Sequence, residues 1–173
     1  TSNTSYRIMN QLKFVEIEEE DLTFVKEMYD YYTLNTTVVY SIDPVPMEDI
    51  RSFVPVKDPL YRSFMLLTPE GEKCGFCYFN KFKPRAAFSV SVEITIYLKP
   101  GFEGRGYGTE ALLRLEDYVR EGGFTNIVAL ISGDNMVSRH LFEKCGYTCS
   151  GNLKNVARKF DQYLDLMFYQ KEV

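Results

Sequence analysis

The chain has 173 residues, 45% hydrophobic and 25% charged, with 20 Lys plus Arg against 24 Asp plus Glu and a formal net charge of −4. This is an ordinary globular composition of one domain's length, enough to bury a core. The mild acidity argues against general nucleic-acid binding, which needs a basic face, and no apolar run approaches the length of a membrane span.

Thr1 to Asn10 is polar, with no apolar core, so it does not read as a secretion signal. Residues 1–11 are assigned to a loose tail and 12–173 to a single domain, with Met9 a candidate initiator. Leu12 to Ile17 is a short strand candidate. Asp21 is placed to cap a helix running to about Tyr32, with Leu22, Val25, Met28, Tyr29 and Tyr32 on one side. A Thr-rich loop, Thr33 to Pro46, precedes a short helix over Met47 to Phe53. Ser63 to Thr68 and Lys73 to Phe82 form a hairpin around Pro69-Glu-Gly-Glu72.

Ala87 to Leu98 is the clearest strand. Phe88, Val90, Val92, Ile94, Ile96 and Leu98 alternate on one face; Ser89, Ser91, Glu93, Thr95 and Tyr97 occupy the other. After a glycine-rich loop comes a helix from about Thr109 to Glu121, closed by Gly122-Gly123. Thr125 to Ile131 is a buried strand, Asn135 to Cys145 a helix closed by Gly146, and Tyr147 to Leu153 and Tyr163 to Tyr169 the last strands. The order β-α-α-β-β-β-α-β-α-β-β specifies an α/β, mixed α+β fold: a mixed sheet with helices on both faces.

Four cysteines are present, and Cys74-x-x-Cys77 has the spacing of a zinc or redox pair. Both lie in a strand-like run, where positions three apart point to opposite faces, and there is one His to complete a cage. Reduced buried thiols, no metal and a cytoplasmic location are therefore expected.

Gly104, Gly106 and Gly108 separate the long strand from its helix. Glycine lets backbone N–H groups approach an anion, and a helix start adds free N–H groups and a positive dipole end. Alone, the triplet is equally a tight turn. It lacks the Lys-Ser/Thr of a P-loop and the third glycine spacing of a dinucleotide fingerprint.

Glu103-Gly-Arg-Gly-Tyr-Gly108 resembles the coenzyme-binding loop of the GNAT acetyltransferase superfamily, Gln/Arg-x-x-Gly-x-Gly/Ala, with Glu103 departing at the first position. Asn135 to Tyr147 resembles that superfamily's closing helix. Tyr29 to Thr37, Lys83 to Phe88, Val92 to Tyr97, Ile131 to Asn135 and Arg158 to Phe160 are similar to the phosphinothricin acetyltransferase-like family. The resemblance runs from about Leu12 to the C-terminus. It implies the GNAT fold, with a mostly antiparallel sheet, acetyl-CoA as cosubstrate, a homodimer, and a small amine acceptor of the phosphinothricin or methionine sulfoximine/sulfone type.

It also implies site residues. Acetyl transfer needs a base to free the amine, and Glu93, on an otherwise uncharged strand face, is the candidate; a solvated strand Glu is the alternative. The coenzyme is expected to pair with Ile96, Tyr97 and Leu98, one of whose N–H groups serves as oxyanion donor. Glu103, Gly104, Arg105, Gly106, Tyr107, Gly108 and Thr109 would hold the pyrophosphate, with Asn135, Ser138 and Phe142 on the closing helix. Phe142 stands where many superfamily members place a proton-donating Tyr, which leaves a base-only mechanism. His140 is assigned to the surface. Tyr32, Asn35, Thr37, Lys83 and Arg85 are acceptor candidates, and Arg158 and Lys159 are a second cationic pair for the site or a dimer contact. Three alternatives stay open: an antibiotic, polyamine or protein N-terminus as acceptor; a non-catalytic acyl-CoA sensor; and a nucleotide-binding protein.

Overall fold

The computed structural model describes residues 11–173. The tail assigned to residues 1–11 therefore falls, apart from Gln11, outside the described residues.

Seven strands form one sheet in the order β1-β2-β3-β4-β5-β7-β6. They are β1 (Lys13–Glu16), β2 (Arg62–Leu67), β3 (Lys73–Lys81), β4 (Ser91–Leu98), β5 (Asn126–Ser132), β6 (Thr148–Lys159) and β7 (Gln162–Glu172). Every neighbouring pair is antiparallel except β4 and β5. Four α-helices cover it: α1 (Leu22–Asn35), α2 (Met47–Phe53), α3 (Tyr107–Glu121) and α4 (Met136–Lys144).

The period-2 pattern of β4 divides two cores. Val92 and Ile94 face α3, whose Ala111, Leu112, Leu115 and Val119 are buried at helical spacing. Glu93, Thr95 and Tyr97 stand opposite Asn80, Tyr78 and Phe76 of β3, so they share the other face. There Met65 and Phe76 pack beneath Leu22, Val25 and Met28 of α1 and Ile50 of α2. Each core buries several large apolar side chains, at about 1.5–3 kcal/mol for each one fully removed from water.

Local geometry corrects four expectations. β4 begins at Ser91; Ala86–Phe88 is a 3₁₀ turn, and Phe88 and Val90 are exposed rather than part of the alternation. Asp21 does not cap α1 through its side chain: it closes a preceding 3₁₀ turn, accepting the Glu18 N–H at 2.9 Å. Cys74 and Cys77 enter the same core, because a register shift at Leu66/Leu67 breaks the alternation beside Cys74. β6 and β7 run far past Leu153 and Tyr169. They join through Phe160 and Asp161, both left-handed (φ 50 and 58), the geometry of a tight two-residue hairpin without its usual glycine.

No helix among the described residues is long and apolar enough to cross a membrane, and no group of His, Cys, Asp or Glu among them could hold a metal.

Gly75 of β3 lies so close under β4 that a Cβ there would collide with the Tyr97 carbonyl oxygen. Gly75→Ala should lower unfolding stability by about 2 kcal/mol through forced displacement of β4; a denaturant titration measures it.

Candidate active site

The parallel pairing of β4 with β5 lasts three residues, Ser91–Glu93 against Asn126–Val128. Beyond Glu93 the strands part, β4 held by β3 and β5 by β7. Strand alternation decides which groups the fork leaves bare. The Lys99 N–H bonds Cys74 of the β3 side at 2.7 Å, while the Val90 carbonyl accepts from Thr125 of the β5 side at 2.9 Å. Odd-numbered backbone groups of β4 therefore turn to β3 and even-numbered ones to the fork. The free donors are the Ile96 and Leu98 N–H groups. The Tyr97 N–H is turned away, which removes it from the expected oxyanion donors.

A cleft of about 580 Å³ opens from this fork. Ile96, Tyr97 and Leu98 form one wall. Glu103, Gly104, Gly106, Tyr107, Gly108 and Thr109 form its floor, and Asn135 and Ser138 stand opposite. Gly104 and Gly106 have φ of +76 and +81 with open space where a Cβ would lie, so their backbone conformation, not crowding, selects glycine. Gly106 precedes α3, whose first intrahelical bond is the Glu110 N–H to the Gly106 carbonyl. The Tyr107, Gly108 and Thr109 N–H groups therefore remain available for an anion. Gly108 lies where Leu98 and Leu141 converge, joining strand edge, α3 and α4. Asn135 caps α4 by accepting the Ser138 N–H at 3.2 Å.

Two of the residues expected at the coenzyme are not in this lining. Arg105 is exposed and turned over the Phe102 ring at 5.0 Å. Phe142 is buried in the core, edge-on to Tyr147 at 4.9 Å, because its position on α4 faces the sheet. In turn, Thr36, Val38, Val137, His140, Leu141 and Lys144 line the cleft without having been singled out for it. His140 is exposed, as expected, but faces the cleft. Spacing could have found most of this set: Val137, His140, Leu141 and Lys144 repeat at i, i+3, i+4, i+7, one stripe of a helix.

Glu103 is the one carboxylate in the lining. Its Oε2 accepts the Gly101 N–H at 2.9 Å, tying the loop that carries it. The Tyr32 hydroxyl donates to the free Leu98 carbonyl at 2.5 Å. Burial, with the Glu103 charge second, pushes Tyr32 up to about 12, so it remains a donor. Tyr32, expected at the acceptor, thus also caps the bare edge of β4.

Glu93 is half-buried at the fork, on the face of β4 away from α3, and does not line the cleft itself. Among the described residues no hydrogen bond or ion pair holds its carboxylate. Burial raises its pKa above the ordinary value, and the Lys83 ammonium partly opposes the rise. Tyr78 and Tyr97 flank it, both shifted upward chiefly by burial, Tyr78 to about 12. Lys83 stands over the Phe82 ring at 5.3 Å, and Arg85 is exposed on the same loop. Asn35 points into solvent and bonds its own helix at Tyr31. Thr37 instead fastens the loop after α1 by donating to Asp134. Tyr40, donating to the Asp165 carbonyl at 2.7 Å, and buried Lys159, donating to the Val39 carbonyl at 2.7 Å, complete that strap. Arg158 is exposed beside Asp161.

A bare strand edge, a glycine-lined helix start and a raised carboxylate suit an elongated ligand with a pyrophosphate and an amine awaiting deprotonation. The model of the acetyltransferase (GNAT) family matches residues 25–147. Phosphinothricin N-acetyltransferase of Streptomyces coelicolor is 28% identical over 156 residues, 88% of this chain and 91% of that protein. The L-methionine sulfoximine/L-methionine sulfone acetyltransferase of Salmonella typhimurium is 26% identical, over 90% of this chain and 91% of its own. The crystal structure of a phosphinothricin acetyltransferase of the GNAT superfamily from Sinorhizobium meliloti, in complex with AcCoA, superposes with a TM-score of 0.87 at 26% identity, covering 94% of this chain and 89% of the other.

Glu103 lines the cleft with the residues at the start of α3, where its charge would oppose an anionic ligand. Glu103→Gln keeps an acceptor for Gly101 and should tighten acetyl-CoA binding about threefold at low ionic strength, less at high salt; calorimetry at two salt concentrations checks both.

Proposed function

This chain belongs to the acetyltransferase (GNAT) family, and on that premise we propose that it carries an acetyl group from acetyl-CoA to the amine of a small, amino-acid-like acceptor. The observation that carries this reading is the position of Glu93: a half-buried carboxylate, without a partner among the described residues, where β4 leaves β5. The names of the relatives, acting on phosphinothricin and methionine sulfoximine or sulfone, support the acceptor class.

The cleft fits the coenzyme. The Tyr107, Gly108 and Thr109 N–H groups would hold its pyrophosphate, and the Ile96 and Leu98 edge its pantetheine arm as an added strand. When bound, the coenzyme supplies an activated acyl group and a thiol leaving group. Glu93 takes the proton from the acceptor's ammonium, directly or through one water, and so makes the nucleophile. The Ile96 N–H, nearest Glu93 on the bare edge, would serve as donor to negative charge on the acyl oxygen of the bound coenzyme. Lys83 keeps Glu93 from being protonated too readily and offers a cation for an acceptor carboxylate or phosphinate. Phe142, sealed in the core, donates no proton, so it would not serve as an acid for the coenzyme's departing thiolate.

We also propose a single domain over 12–173, a cytoplasmic location and a homodimer. The β6–β7 hairpin supports the last: Leu153, Val156, Phe160 and Tyr163 are all exposed on it.

Glu93→Gln should lower kcat at least about a hundredfold with acetyl-CoA affinity within twofold of the parent; turnover left intact removes Glu93 from the role. The carboxylate is the active form, so activity should fall as pH drops through a midpoint above 4.5, the ordinary value. Lys83→Met removes a charge that lowers this pKa, and its acid limb should move to higher pH; a pH series of kcat for both proteins measures the displacement.

A further inference from the structure

We propose that Lys159 is a positioning residue for the acceptor: from the end of β6 it fixes the strap after α1, two of whose residues face the cleft. The inference rests on the acetyl-transfer reading above and extends it to a side chain that touches neither substrate.

From Thr36 to Pro46 the chain has neither helix nor strand, so its shape depends on what holds it. At the end of α1 the hold is local. The Thr36 hydroxyl donates to the Tyr32 carbonyl at 2.6 Å and accepts the Val38 N–H at 3.3 Å. Thr36 and Val38 line the cleft, whereas Thr37 turns to Asp134 and Val39 is buried. Fastening Thr37 and Val39 therefore aims the residues between and before them, because neighbours in an extended segment point opposite ways. The contacts assigned to the coenzyme come from β4 and the start of α3. None comes from the strap, which leaves Thr36 and Val38 to the acceptor.

The three tethers of the strap are unequal. The Thr37 bond to Asp134 and the Tyr40 bond to the Asp165 carbonyl are exposed, and water competes for both. The third lies inside. Lys159 is buried, and its Nζ donates to the Val39 carbonyl at 2.7 Å. A charged donor sheltered from water makes the strongest of the three bonds. The ammonium also stands over the Phe160 ring at 5.2 Å, and no carboxylate pairs with it among the described residues. Its burial costs solvation, which pulls its pKa below the ordinary value. A buried cation without an anion is a poor source of stability. What Lys159 supplies is a fixed point, taken from the last hairpin, for a carbonyl 120 residues away.

Lys159→Met keeps most of the volume and removes the donor. With L-methionine sulfone as acceptor, it should raise the acceptor KM about tenfold, with kcat within about threefold and acetyl-CoA affinity within about twofold of the parent. Tyr40→Phe, which cuts one exposed tether, should raise the acceptor KM less than about threefold. In the parent, Lys159 should be among the slowest lysines to react with an amine-acylating N-hydroxysuccinimide ester, read by mass spectrometry of the digested protein. An acceptor KM unchanged in Lys159→Met overturns the assignment. So does loss of acceptor and coenzyme affinity in step, or failure of the variant to fold, since either marks a lysine that only stabilises the protein. Labelling of Lys159 as fast as the exposed lysines overturns it without any variant. A parent that labels as expected but transfers no acetyl group to any small amine overturns the acetyl-transfer reading instead.

Discussion

The site depends on a sheet that stops pairing partway. β4 and β5 share three residues of parallel ladder and then separate. Unpaired N–H and C=O groups inside a protein are costly, and an open strand edge invites another strand. Here the invitation is selective. Each strand keeps a full ladder on its outer side, so the fork leaves alternate groups of one edge bare without loosening the sheet. Gly75 lets β3 run tight beneath that edge, and the Tyr32 hydroxyl meets the carbonyl at its outer end. Coenzyme cleft and proposed base are thus two products of one event, the end of the ladder at Glu93.

The fork also sorts the electrostatics. On the proposed reading, anion recognition rests on backbone dipoles at the start of α3, with few ionic side chains in the cleft and Glu103 opposing it. A chain of net charge −4 can therefore take a strongly anionic ligand without a basic face. On the other side of β4, tyrosines surround Glu93 with apolar area and hydroxyls that remain protonated. That environment raises a carboxylate while supplying no competing acid.

Much of this was legible because it is local. The period-2 run of β4 marks the Glu93 face, and three glycines before a helix mark the loop that lines the cleft. What escaped depends on registers set from a distance. A bulge opposite Leu66 carried Cys74 into the core of Cys77, against the parity of the run. The last hairpin is longer than its sequence pattern indicates, because Phe160 and Asp161 make its turn in place of glycine or asparagine. On α4 the family pattern drew attention to Phe142, whereas packing against the sheet turned that position inward and brought His140 and Lys144 to the cleft. Which stripe of a helix faces a ligand is decided by the neighbours of that helix, and those are visible only once it is docked. Tyr32 was assigned to one ligand, yet it reaches across to the strand of the other.

The strap after α1 has a different significance. Thr37, Val39 and Tyr40 are each fastened to the far side of the sheet, at Asp134, Lys159 and Asp165. A segment tethered three times between Thr37 and Tyr40 has little ordering entropy left to lose when a ligand arrives. It behaves as masonry rather than as a door. With that backbone fixed, the side chains it turns toward the cleft, Thr36 and Val38, are the part of the strap that can vary without disturbing the strand or the glycine loop.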